Sequence, residues 1–160
     1  MSGQIEEVKV NLIDQKVKFR GESVSNPDTP VIFDYIPPVG DGEGYNGLEL
    51  LLMSLSGCSA TAVVFLLRKM GKTVSGFEVK AKGIKTEQPP LKFERIFLEF
   101  VLKSYDARDV DMQKTMKLAE ESVCPVWQMI KNNVEVVPEY KIITEVHSKE
   151  HHKSVKPEIA

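Results

Sequence analysis

Two cysteines, Cys58 and Cys124, are the residues of this chain that most readily suggest a reaction. A thiolate can attack a peroxide oxygen and become a sulfenic acid, which condenses with a neighbouring thiol to a disulfide. Two remote cysteines brought together by folding could therefore reduce a peroxide. The alternative is that both are inert core residues, because free cysteine is among the most buried residue types. Taken alone, the residues favour this alternative.

Cys58 lies within residues 47–70, a stretch with no charged residue between Glu49 and Arg68. Its residues are good helix formers, and Gly71 is a typical helix stop. The sequence therefore predicts one long, buried helix. Apolar side chains point all around its helical wheel, so we expect it to be covered on every side, in part by a copy of itself in a second subunit.

The same stretch passes the crude length test for a membrane span. Its middle, however, contains small and polar residues, namely Ser54, Ser56, Gly57, Cys58, Ser59 and Thr61. Small residues allow a second helix to approach closely. This pattern favours a core helix, and we expect no membrane partner.

Cys124 is followed by Pro125. Proline disfavours the helical conformation in the residue before it but fits the first position of a helix. The sequence therefore predicts that Cys124 is the N-cap of a short helix running from Pro125 to about Lys131.

The remaining segments predict an α+β domain over residues 1–146. The periodicity predicts a second helix, capped by Asp106 or Asp109 and ending near Ser122. The glycine- and proline-rich residues 37–44 predict a mobile surface loop. Alternating apolar residues predict strands at 8–12, 17–20, 31–36, 77–82, 93–102, 134–137 and 140–146, with a turn at Asn26-Pro-Asp28.

Composition limits the partners and the compartment. A net charge of −2 and the lack of a basic patch mixed with aromatics argue against nucleic-acid binding. The N-terminal residues lack a secretion signal, which predicts a cytoplasmic protein with free thiols. Residues 147–160 form a polar tail that we expect to be frayed, and its three histidines are a weak signal for metal. We expect no metal and no organic cofactor.

The two cysteine segments resemble the OsmC/Ohr family of peroxide-reducing proteins. The resemblance rests on Glu49-Leu-Leu-Leu-x-Ser-Leu-x-Gly-Cys58 and on Cys-Pro-Val at 124–126 before a Val-Glu-Val strand, and it extends from about Gln4 to Val146. It implies an OsmC-like α+β subunit with curved antiparallel sheets around long central helices, and an intertwined homodimer. Such a dimer would account for a helix without a water-facing side.

The resemblance further implies a cysteine-based peroxidase that uses a hydroperoxide as substrate and a thiol or dithiol as reductant. Cys58 suits the attacking role if a cation or a hydrogen-bond donor offsets the cost of burying its charge. Cys124 suits the resolving role at its helix N-cap. An apolar wall around Cys58 would favour organic hydroperoxides over hydrogen peroxide.

The resemblance also implies an acid and an arginine beside the reactive cysteine. Glu49 matches the acid, and Arg20 is the arginine that precedes the long helix. Glu49 and Cys58 lie nine positions apart, on opposite faces of one helix and about 13 Å apart along its axis. We therefore expect Glu49 to reach the cysteine site of the other subunit. The alternatives are a helix-start carboxylate for Glu49 and a solvated strand arginine for Arg20.

The chain departs from the commonest family pattern at one place. Gly47-Leu48 stand where Asn-Pro and an acid often precede the glutamate. A second function therefore stays open, that of a non-enzymatic dimer which senses redox state or binds a small molecule.

Overall fold

A computed structural model describes residues 5–146, so the predicted tail and its histidines lie outside the described residues. The chain divides into two compact units, with the boundary after Leu55. One domain over residues 1–146 stays a prediction. The elements in chain order are the strands β1 (Val8–Leu12), β2 (Phe19–Ser23) and β3 (Asn26–Phe33), the helix α1 (Gly47–Lys69), the strands β4 (Gly76–Lys85) and β5 (Phe93–Ser104), the helix α2 (Asp109–Leu118), a π-helical turn (Ala119–Val123), the helix α3 (Pro125–Ile130) and the strand β6 (Glu135–Thr144).

The first unit contains an antiparallel sheet in the order β1-β2-β3. The predicted hairpin of β1 and β2 is confirmed. The predicted turn at 26–28 is wrong, because Ser23 already pairs with Asn26 and the chain reverses at Val24 and Ser25. The third strand therefore begins at Asn26 and takes in residues that were assigned to the turn.

A buried carboxylate holds the loop between β3 and α1. Asp34 is 2% exposed, and its oxygens accept hydrogen bonds from the backbone N–H groups of Tyr35, Asp41 and Glu43. The amide of Glu43 contributes most to lowering the pKa of Asp34, and burial opposes it. A Cβ at Gly40 would lie 2.1 Å from Asp34 Oδ1, so only glycine fits there. The loop that the sequence predicts to be mobile is thus anchored at its base.

Helix α1 is confirmed, and it ends where Gly71 takes a φ of +73°, a conformation that favours glycine. The sequence predicts that α1 is covered on every side, in part by a second subunit. The chain alone leaves part of the helix exposed. Its buried positions are Leu55, Ser59, Ala62, Val63 and Leu67, whereas Leu51, Met53 and Phe65 are 37%, 47% and 58% exposed. By length and composition it is the one helix within residues 5–146 that could cross a membrane.

The second unit contains a sheet in the order β4-β5-β6. β4 and β5 pair antiparallel, but β5 and β6 pair parallel, so this sheet is mixed rather than antiparallel as predicted. The parallel pairing follows from the helical crossover between β5 and β6, which returns the chain in the same direction. The predicted inner face of β5 is confirmed by its buried residues Ile96, Leu98, Phe100 and Leu102.

Two predicted details in this unit are wrong, namely the division of the last strand and the caps of the second helix. Residues 134–137 and 140–146 form one strand, because β6 is an edge strand and tolerates the missing N–H of Pro138. The helical segment ends close to the predicted Ser122: it is α-helical to Leu118 and continues as the π-helical turn to Val123. Neither Asp106 nor Asp109 caps it, since Asp111 Oδ2 accepts from the Arg108 N–H (3.0 Å) and Asp106 accepts from the Thr73 N–H (2.9 Å).

Candidate active site

The structure brings the two remote cysteines together. The Sγ atom of Cys58, on α1, lies 2.7 Å from the Sγ atom of Cys124, which precedes α3. Both are free thiols. The two sulfurs of a disulfide are about 2.05 Å apart. A movement of less than about 1 Å would therefore allow Cys58 and Cys124 to bond.

Cys124 owes its position to the interruption of the helix before Pro125. Its backbone is extended (φ −92°, ψ 104°), as the sequence predicts for a residue before proline, and it caps α3. The Cys124 N–H donates to the carbonyl oxygen of Ala119 (2.9 Å) and so closes the π-helical turn. The Cys124 sulfur accepts from the backbone N–H of Trp127 (3.4 Å).

Trp127 fixes α3 against the sheet. Its side chain is 1% exposed, and its ring lies nearly parallel to that of Phe100 on β5, with centroids 6.3 Å apart. Because Trp127 supplies both this packing and an N–H to Cys124, the sheet core holds the buried sulfur in place.

The two thiols differ in their access to solvent. Cys124 is 0% exposed, whereas Cys58 is half-buried and lines an apolar cavity of about 360 Å³. The cavity is also lined by Gly57, Thr61, Ala62, Phe65, Val123 and Pro125. A small molecule in this cavity would reach the sulfur of Cys58 and not that of Cys124.

The surroundings of Cys58 do not favour its charged form. Burial raises the pKa of the Cys58 thiol above its ordinary value, and the neighbouring Cys124 raises it further, whereas the backbone N–H of Val126 lowers it. No basic side chain within residues 5–146 is among the groups that shift this pKa. A cation or a further hydrogen-bond donor near the Cys58 sulfur would offset this cost and lower the pKa.

Glu49 lies in the first unit and forms part of the N-cap of α1. Its Oε2 accepts from the backbone N–H of Asn46 (2.8 Å), while Asn46 Oδ1 accepts from the N–H groups of Leu48 and Glu49 (both 3.0 Å). This is a reciprocal capping box. The helix-start role that the sequence left open is thus present, and a catalytic role of Glu49 stays a prediction.

Arg20 also lies in the first unit, on β2. Its Nε pairs with the carboxylate of Glu22 on the same strand, and its side chain is 44% exposed. The structure therefore brings Cys58 and Cys124 together, and it places Arg20 and Glu49 in the other compact unit. The catalytic role of Arg20 stays a prediction.

Three polar groups beside the sulfurs were not among the predicted site residues. Two are the N–H groups of Val126 and Trp127 in the first turn of α3, and the third is the hydroxyl of Ser59, whose Oγ lies 3.8 Å from Cys124 Sγ. The sequence carries a signal for the amides in the predicted N-cap. It carries none for Ser59 except that it follows Cys58.

Comparison with known proteins identifies the family. A family model described as OsmC-like protein matches residues 40–139, a range that includes both cysteines and crosses the boundary between the two units. Protein YhfA of Escherichia coli is 31% identical over 96 residues, which are 60% of this chain and 72% of YhfA. The chain belongs to the OsmC-like family, as its cysteine segments indicated.

Solved structures confirm the fold. The OsmC-like protein from Mycoplasma pneumoniae has a TM-score of 0.76 at 12% identity and covers 89% of this chain and 99% of its own. An organic hydroperoxide resistance protein OsmC from Legionella pneumophila has a TM-score of 0.64 at 13% identity and covers 88% and 98%. The predicted OsmC-like α+β fold is therefore confirmed. Members of this family are soluble proteins.

The Cys124→Ser variant should ionise Cys58 at a lower pH than the wild type. The hydrogen bond between the two thiols and the electrostatic effect of Cys124 both raise the pKa of Cys58, and the substitution removes the thiol that causes them. The rate of Cys58 alkylation by iodoacetamide, followed by mass spectrometry across pH, measures the midpoint. Ser122→Ala, an exposed hydroxyl that donates to the Leu118 carbonyl (3.2 Å), is the control. An unchanged or higher midpoint in Cys124→Ser would contradict the assigned causes.

Proposed function

We propose that this protein is a thiol-dependent peroxidase that reduces organic hydroperoxides and so protects the cell against oxidative stress. One observation carries the proposal: two sulfurs lie 2.7 Å apart, and only that of Cys58 faces an apolar cavity. Family membership supports it, because OsmC/Ohr proteins are generally peroxidase-like and the Legionella relative is named for organic hydroperoxide resistance.

In the first step, the thiolate of Cys58 attacks the terminal oxygen of the hydroperoxide. A sulfur–oxygen bond forms and the oxygen–oxygen bond breaks, leaving a sulfenic acid on Cys58. The departing alkoxide takes up a proton and leaves as the alcohol. The difference in exposure supports Cys58 for this step, because Cys124 has no accessible surface.

In the second step, the sulfur of Cys124 attacks the sulfur of the Cys58 sulfenic acid. A disulfide forms, the sulfur–oxygen bond breaks, and the hydroxyl leaves as water with the proton of Cys124. The short distance between the sulfurs lets the disulfide form with little backbone movement. An external dithiol then reduces the disulfide by exchange and is itself oxidised.

The two cysteine variants should fail in different ways. Cys58→Ser should abolish peroxide consumption, because the accessible nucleophile is gone. Cys124→Ser should still release about one equivalent of alcohol per protein, since the first oxidation is intact, but multiple turnover with a dithiol should fall at least about tenfold. Alcohol release in single- and multiple-turnover assays measures both. Full multiple turnover by Cys124→Ser would rule out its resolving role, and turnover by Cys58→Ser would rule out the whole scheme.

The cavity supports a preference for a substrate with an apolar tail. Phe65 lies one helical turn beyond Thr61 on the same side of α1, and both line the cavity beside Cys58. A tail placed against Phe65 would gain from burial, whereas hydrogen peroxide has no group to bury.

Phe65→Ala should therefore lower kcat/KM for cumene hydroperoxide by about tenfold, which corresponds to losing about 1.4 kcal/mol of apolar contact. The rate with hydrogen peroxide should change little. Met129→Ala is the control, because Met129 is an exposed apolar residue that is not among those lining the cavity. Light scattering on each variant checks that assembly is unchanged. Equal losses for both peroxides would contradict the preference.

The proposal includes a homodimer whose partner completes the site. Exposed apolar residues support it, namely Leu51, Met53 and Phe65 on α1 and Val8, Val10 and Leu12 on β1. Apolar side chains left open in this way mark interaction surfaces. The site also needs a cation for Cys58, and we assign that role to Arg20 of one subunit, oriented by Glu49, acting on Cys58 of the other.

A mixture of two inactive variants tests the shared site. Glu49→Gln keeps the capping box, since glutamine can replace glutamate there, but removes the charge. If Glu49 serves the partner's cysteine, mixing Glu49→Gln with Cys58→Ser should restore activity, because a hybrid dimer contains one site with both residues intact. Mixing Arg20→Met with Cys58→Ser should restore activity for the same reason. Full activity of Glu49→Gln or Arg20→Met alone would exclude that residue, and no recovery on exchange of subunits would exclude the shared arrangement.

A second candidate function is that of a redox-sensing dimer without turnover, because two thiols whose sulfurs lie 2.7 Å apart can form a reversible disulfide. Rapid loss of two thiols on adding a hydroperoxide, with continued alcohol release when a dithiol is present, supports the peroxidase. Slow loss without further alcohol release supports the sensor. Under either function the protein works in the reducing cytoplasm, where its thiols are regenerated.

A further inference from the structure

Ser59 is a polar residue beside the reactive pair that the proposed reaction does not yet use. It follows Cys58 on α1, its side chain is 0% exposed, and its Oγ lies 3.8 Å from Cys124 Sγ, within hydrogen-bond range for sulfur. Among residues 5–146, the polar groups that contact the Cys124 sulfur include the sulfur of Cys58, the N–H of Trp127 and the hydroxyl of Ser59.

The second step of the reaction requires the surroundings of Cys124 to stabilise a thiolate. Cys124 reacts as a thiolate, and because it is fully buried, water does not solvate the charge. A buried charge is costly unless hydrogen bonds compensate it. The N–H of Trp127 is one donor with a fixed direction, and a serine hydroxyl can rotate to become a second.

We propose that Ser59 is a positioning residue for the resolving step. Its hydroxyl donates to the Cys124 sulfur as the proton of Cys124 departs, and it holds that sulfur towards Cys58. The Cys58 sulfenic acid loses its hydroxyl as water with this proton, and the disulfide forms. This role rests on the proposed peroxidase function and adds a residue that serves the second step alone.

The contacts of Ser59 indicate that it acts on disulfide formation and not on the first oxidation. Ser59 is in contact with the sulfur of Cys124, and it is not among the groups that shift the pKa of Cys58. Both Cys58 and Ser59 belong to one turn of α1, so the electrophilic sulfur and the hydroxyl that assists its attacker are held by the same backbone. Loss of the hydroxyl should therefore slow disulfide formation and leave the first oxidation unchanged.

Single-turnover kinetics on Ser59→Ala tests the role. The fully reduced protein is mixed with one equivalent of cumene hydroperoxide. Alcohol release reports the first step, and the loss of free thiols, followed by mass spectrometry, reports the second. We expect alcohol release at the wild-type rate and disulfide formation slowed about tenfold, as for a lost hydrogen bond to a charged group. The pH profile of disulfide formation should move to higher pH. Ser59→Thr, which keeps the hydroxyl, should restore both, and Ser122→Ala is the control.

The outcomes distinguish this role from the proposed function. If the wild type releases alcohol and forms the disulfide, but Ser59→Ala does so at the same rate and with the same pH profile, the Ser59 role is wrong and the peroxidase stands. Slowing without a change in the pH profile, and without rescue by Ser59→Thr, would indicate a packing effect and would also overturn it. If the wild type releases no alcohol, the proposed function fails and the Ser59 role fails with it.

Discussion

The contact between two sulfur atoms is the constraint on which the second unit depends. Cys58 belongs to the long helix and Cys124 to a chain break far along the sequence, and the sulfurs approach to 2.7 Å only because each backbone is held independently. The break before Pro125 turns Cys124 out of the helix, the π-helical turn ends at its N–H, and Trp127 ties the following helix to Phe100 of the sheet. The packing of the sheet core therefore fixes the position of the Cys124 sulfur.

The same packing creates an electrostatic problem. In the proposed reaction, the apolar setting would suit an organic hydroperoxide, but burial raises the pKa of the Cys58 thiol. Within the second unit the compensation consists of dipoles, with the N–H of Val126 directed to Cys58 and that of Trp127 to Cys124. In the homodimer proposed above, a positive charge from the partner subunit would supply the rest.

Much of the fold could be predicted from local signals, and the departures have physical reasons. The long helix follows from its apolar, helix-forming composition. Its end follows from Gly71, and the cap at Cys124 follows from the proline after it. The direction of β6 could not be read from its residues, because strand polarity depends on the crossover before it. In the site, the two cysteines could be named from their segments, whereas Ser59 could not, because a serine within a helix gives no sign of its neighbour in space. The anchoring of the loop by Asp34 was missed for the same reason.

The π-helical turn carries a consequence for comparing relatives. A wider turn contains one more residue than an α-helix of the same length, and each residue rotates the chain by about 100°. Removing one residue from Ala119–Val123 would restore ordinary helical winding and swing the thiol of Cys124 away from α1. The number of residues between β5 and Cys124 is thus as informative as the cysteine itself: a homologue with the same Cys-Pro pair but a shorter segment would present its sulfur in a different direction.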